Sequence, residues 1–349
     1  MIPTISVIIP TYNGAAWIAE TLDSVFRQTQ VPIEIIVVDD ASTDGTAESV
    51  AALAADASVP IRIIEQPVNS GSPAPTLNVG MAQATGELIA VLDQDDLFLP
   101  SKLESQARAL SEHPEMSLVF SLFANYEQGT KRRGRSAAAR VRHIRRRMAR
   151  QNDLYLCDGP VALEEFARSI NFVGGFPGFM FRRSAWLAKG GFDEHLRIAA
   201  DYEFLCWLCT RGSVGFIPEI HYLRREHDTN LTRRTGVHWR LDAINVLLKY
   251  ADHASTPAIP AIVRTTIHHH LWAVARRLAS AGHQRSAGEV YAIVSQMVGG
   301  GWRALVQRLA IPAYVGFYRI FRQPWKIAAD QADAAVRLSQ AVALRLSSQ

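Results

Sequence analysis

Ile33-Glu34-Ile35-Ile36-Val37-Val38-Asp39-Asp40-Ala41-Ser42-Thr43-Asp44-Gly45-Thr46 is the stretch that decides the fold. Residues 33–38 are mostly β-branched and apolar, which reads as a strand buried on both faces. Two adjacent carboxylates cannot remain in such a core, so Asp39 and Asp40 mark the strand's end at a rim. Asp44 then stands where it can cap a helix running through Val50 and Leu53. Toward the N-terminus, Ile5-Ser6-Val7-Ile8-Ile9 is another buried strand, and Asn13 can cap a segment where Ile18, Leu22, Val25 and Phe26 recur at helical spacing. Toward the C-terminus come a strand over 61–64, a helix near 77–84, and a strand over 88–92. Pro100 then fits the first turn of a helix carrying Leu103, Ala107 and Leu110. Strand alternating with helix predicts an α/β fold with a mostly parallel sheet covered on both faces. Ligands of such sheets bind beyond the carboxyl ends of the strands, which directs attention to the residues just past each strand.

Asp93-Gln94-Asp95-Asp96 comes directly after the fourth strand. In extended backbone, residues two apart point to the same side, so Asp93 and Asp95 would converge and repel unless a cation lay between them. A hard divalent ion, held by one or two carboxylates with phosphate oxygens completing its shell, suits that pair. A solvated turn with a capping Asp is the competing reading of a D-x-D alone. Asp201 precedes Phe204, Leu205 and Leu208 at helical spacing, so it stands near a helix N-terminus, where the helix dipole favours its ionised form. An ordinary capping aspartate is the alternative there.

The chain has 349 residues, nearly half of them hydrophobic, enough for one large α/β domain and a smaller helical region. Its formal charge of +4 is unevenly placed: residues 131–150 are crowded with Arg and hold no carboxylate. The run after Met1 is too short for a signal-peptide core, and no window offers ~20 apolar residues. A cytoplasmic protein, or one peripheral on the inner face of the membrane, is expected. Three cysteines are too few for a disulfide framework, and Cys206-x-x-Cys209 reads as part of a core helix.

Taken in order, several motifs resemble the inverting glycosyltransferase family 2, which has the GT-A fold. They are Ser6-Val7-Ile8-Ile9-Pro10-Thr11-Tyr12-Asn13, then Val37 to Thr46, Asn69-Ser70-Gly71, Asn78-Val79-Gly80, Ala84-Thr85-Gly86-Glu87 and Leu92 to Asp96. Phe181-Arg182-Arg183-Ser184, Gly190-Gly191-Phe192-Asp193, Asp201-Tyr202-Glu203 and Tyr222 to His227 complete the series across roughly residues 4–230. The resemblance implies a GT-A domain over 1–230. Its nucleotide-sugar half spans about 1–125, with the basic insertion at 131–150 and an acceptor half at about 155–230. A helical region occupies 236–349. The resemblance also implies transfer of a sugar from a nucleotide-sugar donor, UDP-linked by preference, to a saccharide or lipid-linked saccharide acceptor of cell-envelope or exopolysaccharide type. Pro10, Thr11, Tyr12 and Asn13 border the nucleobase, Asp40 accepts a hydrogen bond from it, and Asn78 belongs to the donor site. Asp93 serves the ribose and the metal, Asp95 the metal, and Asp201 is the catalytic base. His227 matches a histidine that reaches the metal or diphosphate, with an exposed loop histidine as its alternative. Manganese or magnesium is the implied cofactor. Many members of that family carry an Arg where this chain has Leu77.

Several features fall outside the resemblance. His268-His269-His270 point in different directions on a helix and suit one metal poorly. The basic insertion, with the aromatic and Arg-rich run 302–322, suggests an anionic membrane surface; no nucleic-acid module accompanies it. A nucleotidyltransferase would carry a basic Gly-rich loop where this chain has Pro10 to Gly14. A non-catalytic binding protein would not need Asp95 and Asp201.

Overall fold

A computed structural model describes residues 3–126, 145–169, 173–228, 230, 237–251, 258–297 and 329–347. The chain divides into two compact units, Met1–Asp228 and Thr229–Gln349. The run 302–322 and most of the basic insertion lie outside the described residues.

The first unit is built on one ten-stranded mixed sheet. Its parallel part comprises β1 (Ile5–Thr11), β2 (Glu34–Asp39), β3 (Ile61–Glu65) and β4 (Leu88–Val91), in the order β3-β2-β1-β4. Every residue of β2 and β4 is buried, as apolar strands covered on both faces require. Helices α1 (Ile18–Phe26), α2 (Thr46–Ala55) and α3 (Pro73–Gln83) connect them. Pro10 lies near the end of β1, just past Ile8↔Val91, the last residue pair with β4, a position that suits a residue with no N–H to donate. Gly80 of α3 lies so close to the sheet that a Cβ would come within 2.8 Å of Ile8 Cγ2.

The remaining strands are β5 (Leu97–Phe98), β6 (Met116–Tyr126), β7 (Ala149–Gln151), β8 (Leu154–Cys157), β9 (Phe179–Arg182) and β10 (Ser213–Arg225). Strand β9 runs antiparallel between β4 and β6; β10 runs parallel to β6 and antiparallel to β8. The helices here are α4 (Lys102–Glu112), α5 (Gly159–Arg168), α6 (Arg183–Lys189) and α7 (Ala200–Cys209). The architecture is the GT-A arrangement, with parallel ladders carrying most of the paired residues.

Three local expectations change. Helix α1 begins beyond Trp17, and Asn13 caps nothing: its Oδ1 accepts from Thr43 N at 2.9 Å. Helix α3 starts at Pro73, a turn earlier than its apolar spacing suggests, because proline is well placed in a first turn. Pro100 lies before the Ser101 cap of α4 rather than inside its first turn. The cap position of α2 is Gly45; Asp44 stands one residue before it, its Oδ1 accepting from Thr46 N at 3.1 Å.

The second unit contains α8 (His238–Ala251), α9 (Ala258–Ser280), α10 (Gln284–Met297) and α11 (Ala329–Ser347). Among the described residues, no helix is long and apolar enough to cross a membrane.

Candidate active site

The loops beyond β1, β2 and β4 are bonded into one rim. Gln94 is the hub: its Oε1 accepts from Thr11 Oγ1 at 2.6 Å and from Tyr12 N at 2.8 Å, and its Nε2 donates to Tyr12 O at 3.1 Å. Asn13 N donates to Ser42 Oγ, Gly14 N to Thr46 Oγ1, and Ala15 N to Asp44 Oδ2. A Cβ on Gly14 would stand 2.3 Å from Gln94 Oε1, so any larger residue there would push the Gln94 amide out of its place. Tyr12 remains 46% exposed on the rim, an aromatic face that a base could stack on.

Asp40 is buried at the end of β2. Its carboxylate accepts from Gln66 Nε2 (2.8 Å), Asn69 Nδ2 (3.0 Å), Ser70 N (2.9 Å) and Ser70 Oγ (2.9 Å). Both oxygens therefore already organise the loop over residues 66–72, and a base bonding to Asp40 would compete with these donors. Asn78 is engaged in the same way. Its Oδ1 accepts from Phe192 N at 2.8 Å, and its Nδ2 donates to Phe192 O at 3.1 Å and Glu194 Oε1 at 2.8 Å. It ties α3 to the turn at Gly190 and Gly191. Leu77 is fully buried in the core.

The acidic quartet is a turn, not extended backbone, because β4 stops at Val91 and Asp96 N donates to Asp93 O at 3.1 Å. Convergence comes from the turn and from a third carboxylate. Burial raises the Asp93 carboxyl to about 7, and the charges of Asp95 and then Asp201 add to the rise. Asp96 is also raised well above the usual range, by burial and then by Asp95 and Asp93; it accepts from Arg225 N at 2.9 Å. Asp95 Oδ2 meets His227 Nε2 at 2.8 Å, and His227 stacks on Trp17 with centroids 5.0 Å apart. His227 is thus no exposed loop residue.

Arg225 lies beneath this pair, 1% exposed. It donates through Nε to Asp95 O at 2.9 Å and through Nη2 to Glu20 Oε2 at 2.6 Å. Its guanidinium lies 4.8 Å from the Trp17 centroid and 5.0 Å from that of Tyr126. Gln94, Arg225 and Trp17 were not singled out by sequence reasoning. The available signal was Arg225 inside the Tyr222 to His227 motif, at the end of a long strand.

Asp201 is in the first turn of α7. Gly175, at φ 114°, packs so close that a Cβ there would lie 3.7 Å from Asp201 Oδ2. Two residues on, the fully buried Glu203 pairs with Lys189 Nζ at 2.9 Å, and Lys189 also donates to Gly191 O. Cys206 and Cys209 are free and buried, and burial pushes both thiols far up. A core role therefore stands in place of redox chemistry.

Among the described residues, no group of three or more His, Cys, Asp or Glu side chains forms a ready-made metal site. The donor set nevertheless suits a hard divalent ion: carboxylates of Asp93 and Asp95, whose mutual repulsion a cation would relieve, beside the His227 imidazole. One or two carboxylates plus substrate phosphates is the usual magnesium-type arrangement.

A parallel half and a mixed half sharing one sheet, with an acidic turn past the end of β4, define the protein as one of GT-A fold. Residues 6–168, just under half of the chain, match the model of Glycosyl transferase family 2. Asp201 and His227 lie beyond the matched segment. An uncharacterized glycosyltransferase of Rickettsia typhi is 29% identical over 230 residues, 66% of this chain and of that one. Another, from Haemophilus influenzae, is 25% identical over 213 residues, 60% of this chain and 63% of that one. The chain thus spans just under two thirds of these relatives. The crystal structure of S. aureus TarS 1–349 in complex with UDP-GlcNAc superposes with a TM-score of 0.61 at 18% identity, covering 98% of this chain and 92% of that one. The mannosyltransferase PcManGT from Pyrobaculum calidifontis, in complex with GDP-Man and Mn2+, gives 0.59 at 20% identity, over 99% and 88%. At these identities the likeness establishes the fold.

Proposed function

We propose that the protein transfers a sugar from a nucleoside-diphosphate sugar, UDP-linked by preference, to an acceptor hydroxyl with inversion at the anomeric carbon. The observation that carries this reading is the acidic turn past β4, closed by Asp96 N on Asp93 O, in which Asp95 Oδ2 meets His227 Nε2 at 2.8 Å. A donor-half carboxylate pair, with Asp201 of the acceptor half among the charges acting on Asp93, supports the reading as the minimum set for the chemistry. Pro10, Thr11, Tyr12 and Asn13 border the base, and Asp40 and Asn78 hold the rim around it. Asp93, Asp95 and His227 would hold manganese or magnesium. When bound, that ion neutralises the charge growing on the leaving phosphate. Asp201 takes the proton of the attacking hydroxyl. The acceptor is a saccharide or lipid-linked saccharide of the cell envelope or an exopolysaccharide, met at the inner membrane face. UDP-GlcNAc in the TarS complex and GDP-Man with Mn2+ in PcManGT support the nucleotide-sugar and metal parts of the reading.

The test is a donor screen with purified protein and a panel of nucleotide sugars, with manganese or magnesium. Nucleoside diphosphate release should cease in excess chelator and return with added metal. Full release in chelator would refute the metal's part, and no release from any nucleotide sugar would refute the reading itself.

A further inference from the structure

Asp201 lies in the first turn of α7, a place where helices fray unless something fastens them. Glu203 N closes that turn on Ala199 O at 2.9 Å. The three residues after Asp201 are each anchored. Tyr202 Oη donates to Phe166 O at 3.0 Å, and Phe204 meets Phe181 and Phe192 edge-on, with centroids 4.8 and 5.0 Å away. Between them, the Glu203 carboxylate is fully buried against Lys189 Nζ at 2.9 Å, and the Lys189 side chain is itself only 9% exposed.

Lys189 ends α6 and holds more than Glu203. Its amine also donates to Gly191 O at 2.9 Å. Gly190 and Gly191 turn the chain at φ 81° and 107°, and Asn78 grips the far side of that turn through Phe192 N at 2.8 Å and Phe192 O at 3.1 Å. A path of short polar contacts therefore runs from α3 in the donor half to the first turn of α7. An apolar pair would fill the space between Lys189 and Glu203 at least as stably, because the attraction within a buried ion pair often does no more than repay its desolvation. What the pair adds is direction, since each charge specifies where the other must lie.

We propose that Lys189 and Glu203 are positioning residues that hold the Asp201 carboxylate in place at the head of α7, in register with the turn that Asn78 grips. The role of Asp201 as base rests on the transferase reading; its placement by the pair does not. A misplacement of about 1 Å can cost about 100-fold in rate, so a tether of this kind acts on turnover and not on donor binding.

The test replaces both charges at once in the full chain, with Lys189→Met and Glu203→Met. Net charge is conserved and no lone buried charge remains, so the melting temperature should stay close to that of the parent. One measurement records the Asp201 carboxyl carbon by NMR with isotope-labelled aspartate, assigned by its absence from Asp201→Asn. The other follows nucleoside diphosphate release from the panel of nucleotide sugars, with manganese and with water as the acceptor. In the double variant the Asp201 signal should broaden or split, and kcat should fall about tenfold or more at an unchanged KM for the donor. A single sharp, unmoved signal with normal kcat makes the pair mere filling and overturns the proposal. Lost kcat with an unmoved Asp201 signal makes Glu203 itself the base and also overturns it, as does a loss confined to KM. A changed Asp201 signal with normal kcat upholds the placement and refutes Asp201 as base. No release by the parent chain refutes the transferase reading, and the Asp201 signal then decides the proposal alone. If the double variant melts early, Glu203→Gln replaces it. That variant keeps the length and an acceptor oxygen but loses the charge; the same two changes are expected in smaller measure, and their absence overturns the proposal.

Discussion

Replacing Arg225 by Met removes a side chain that reaches from β10 under the metal-side turn. Two charge-assisted hydrogen bonds disappear, to Asp95 O and to Glu20 Oε2. The first is part-buried and contributes about 1.5–3 kcal/mol. The second joins a carboxylate that is 47% exposed, so solvent screening reduces it to about 0–1 kcal/mol. The contacts with Trp17 and Tyr126 add about 1 kcal/mol, part of which a methionine sulfur retains. The expected loss is about 2–4 kcal/mol, a large part of a typical domain's stability, and should appear as a lower urea midpoint. The carbonyl of Asp95 and the Trp17–His227 stack lose their support together, so UDP binding with manganese should weaken about tenfold or more. Arg225→Lys keeps the charge without the fork and should fall between the two. An Arg225→Met protein that loses under 1 kcal/mol and binds UDP with manganese normally would refute this account of the turn.

Asp201→Asn should lower transfer by about 10²–10⁴-fold while calorimetric binding of UDP plus metal stays near normal; loss of turnover through loss of binding would point to another base. Gly14→Ala drives a Cβ against Gln94 Oε1 and Thr11 Oγ1, so UDP affinity should drop about tenfold with the melting temperature little changed. Lys102 is fully buried, bonded to Gln106 Oε1 at 2.8 Å, and burial lowers it from 10.5 to about 7. The unfolded chain then binds more protons between about pH 7 and 10.5, so stability rises with pH across that window by up to roughly 1.4 kcal/mol per unit. Lys102→Met should flatten this rise and stabilise the protein at pH 7; an unchanged slope in urea titrations at pH 7, 8 and 9 would show that the amine stays charged in the fold.

The parallel half was legible because each strand is a mostly apolar run followed by a polar turn, as at Val38-Asp39 and Leu92-Asp93. The pairing of β9 was not, since Phe179 to Arg182 is four residues long and its partners lie far away in sequence. The chemistry-bearing carboxylates could be found from strand ends and motif order. What their neighbours do with them could not. Asp40 and Asn78 stand in recognisable motifs, yet their oxygens and nitrogens are taken by Ser70, Asn69, Phe192 and Glu194. Gln94 and Arg225 act through contacts across 82 and 130 positions of sequence, which no local pattern reveals.

Strand β9 separates β4 from β6, and this order has a consequence for a chain emerging from the ribosome. β4 ends at Val91 and its antiparallel neighbour begins at Phe179, 88 residues later. At about 5–20 residues per second, the inner edges of β4 and β6 wait several seconds with their backbone groups unpaired. The nascent first unit thus carries two apolar strand edges, Leu88-Ile89-Ala90-Val91 and Leu118-Val119-Phe120, open to wrong partners. Fragments ending between residues 126 and 178 should aggregate where the chain extended past Arg182 does not.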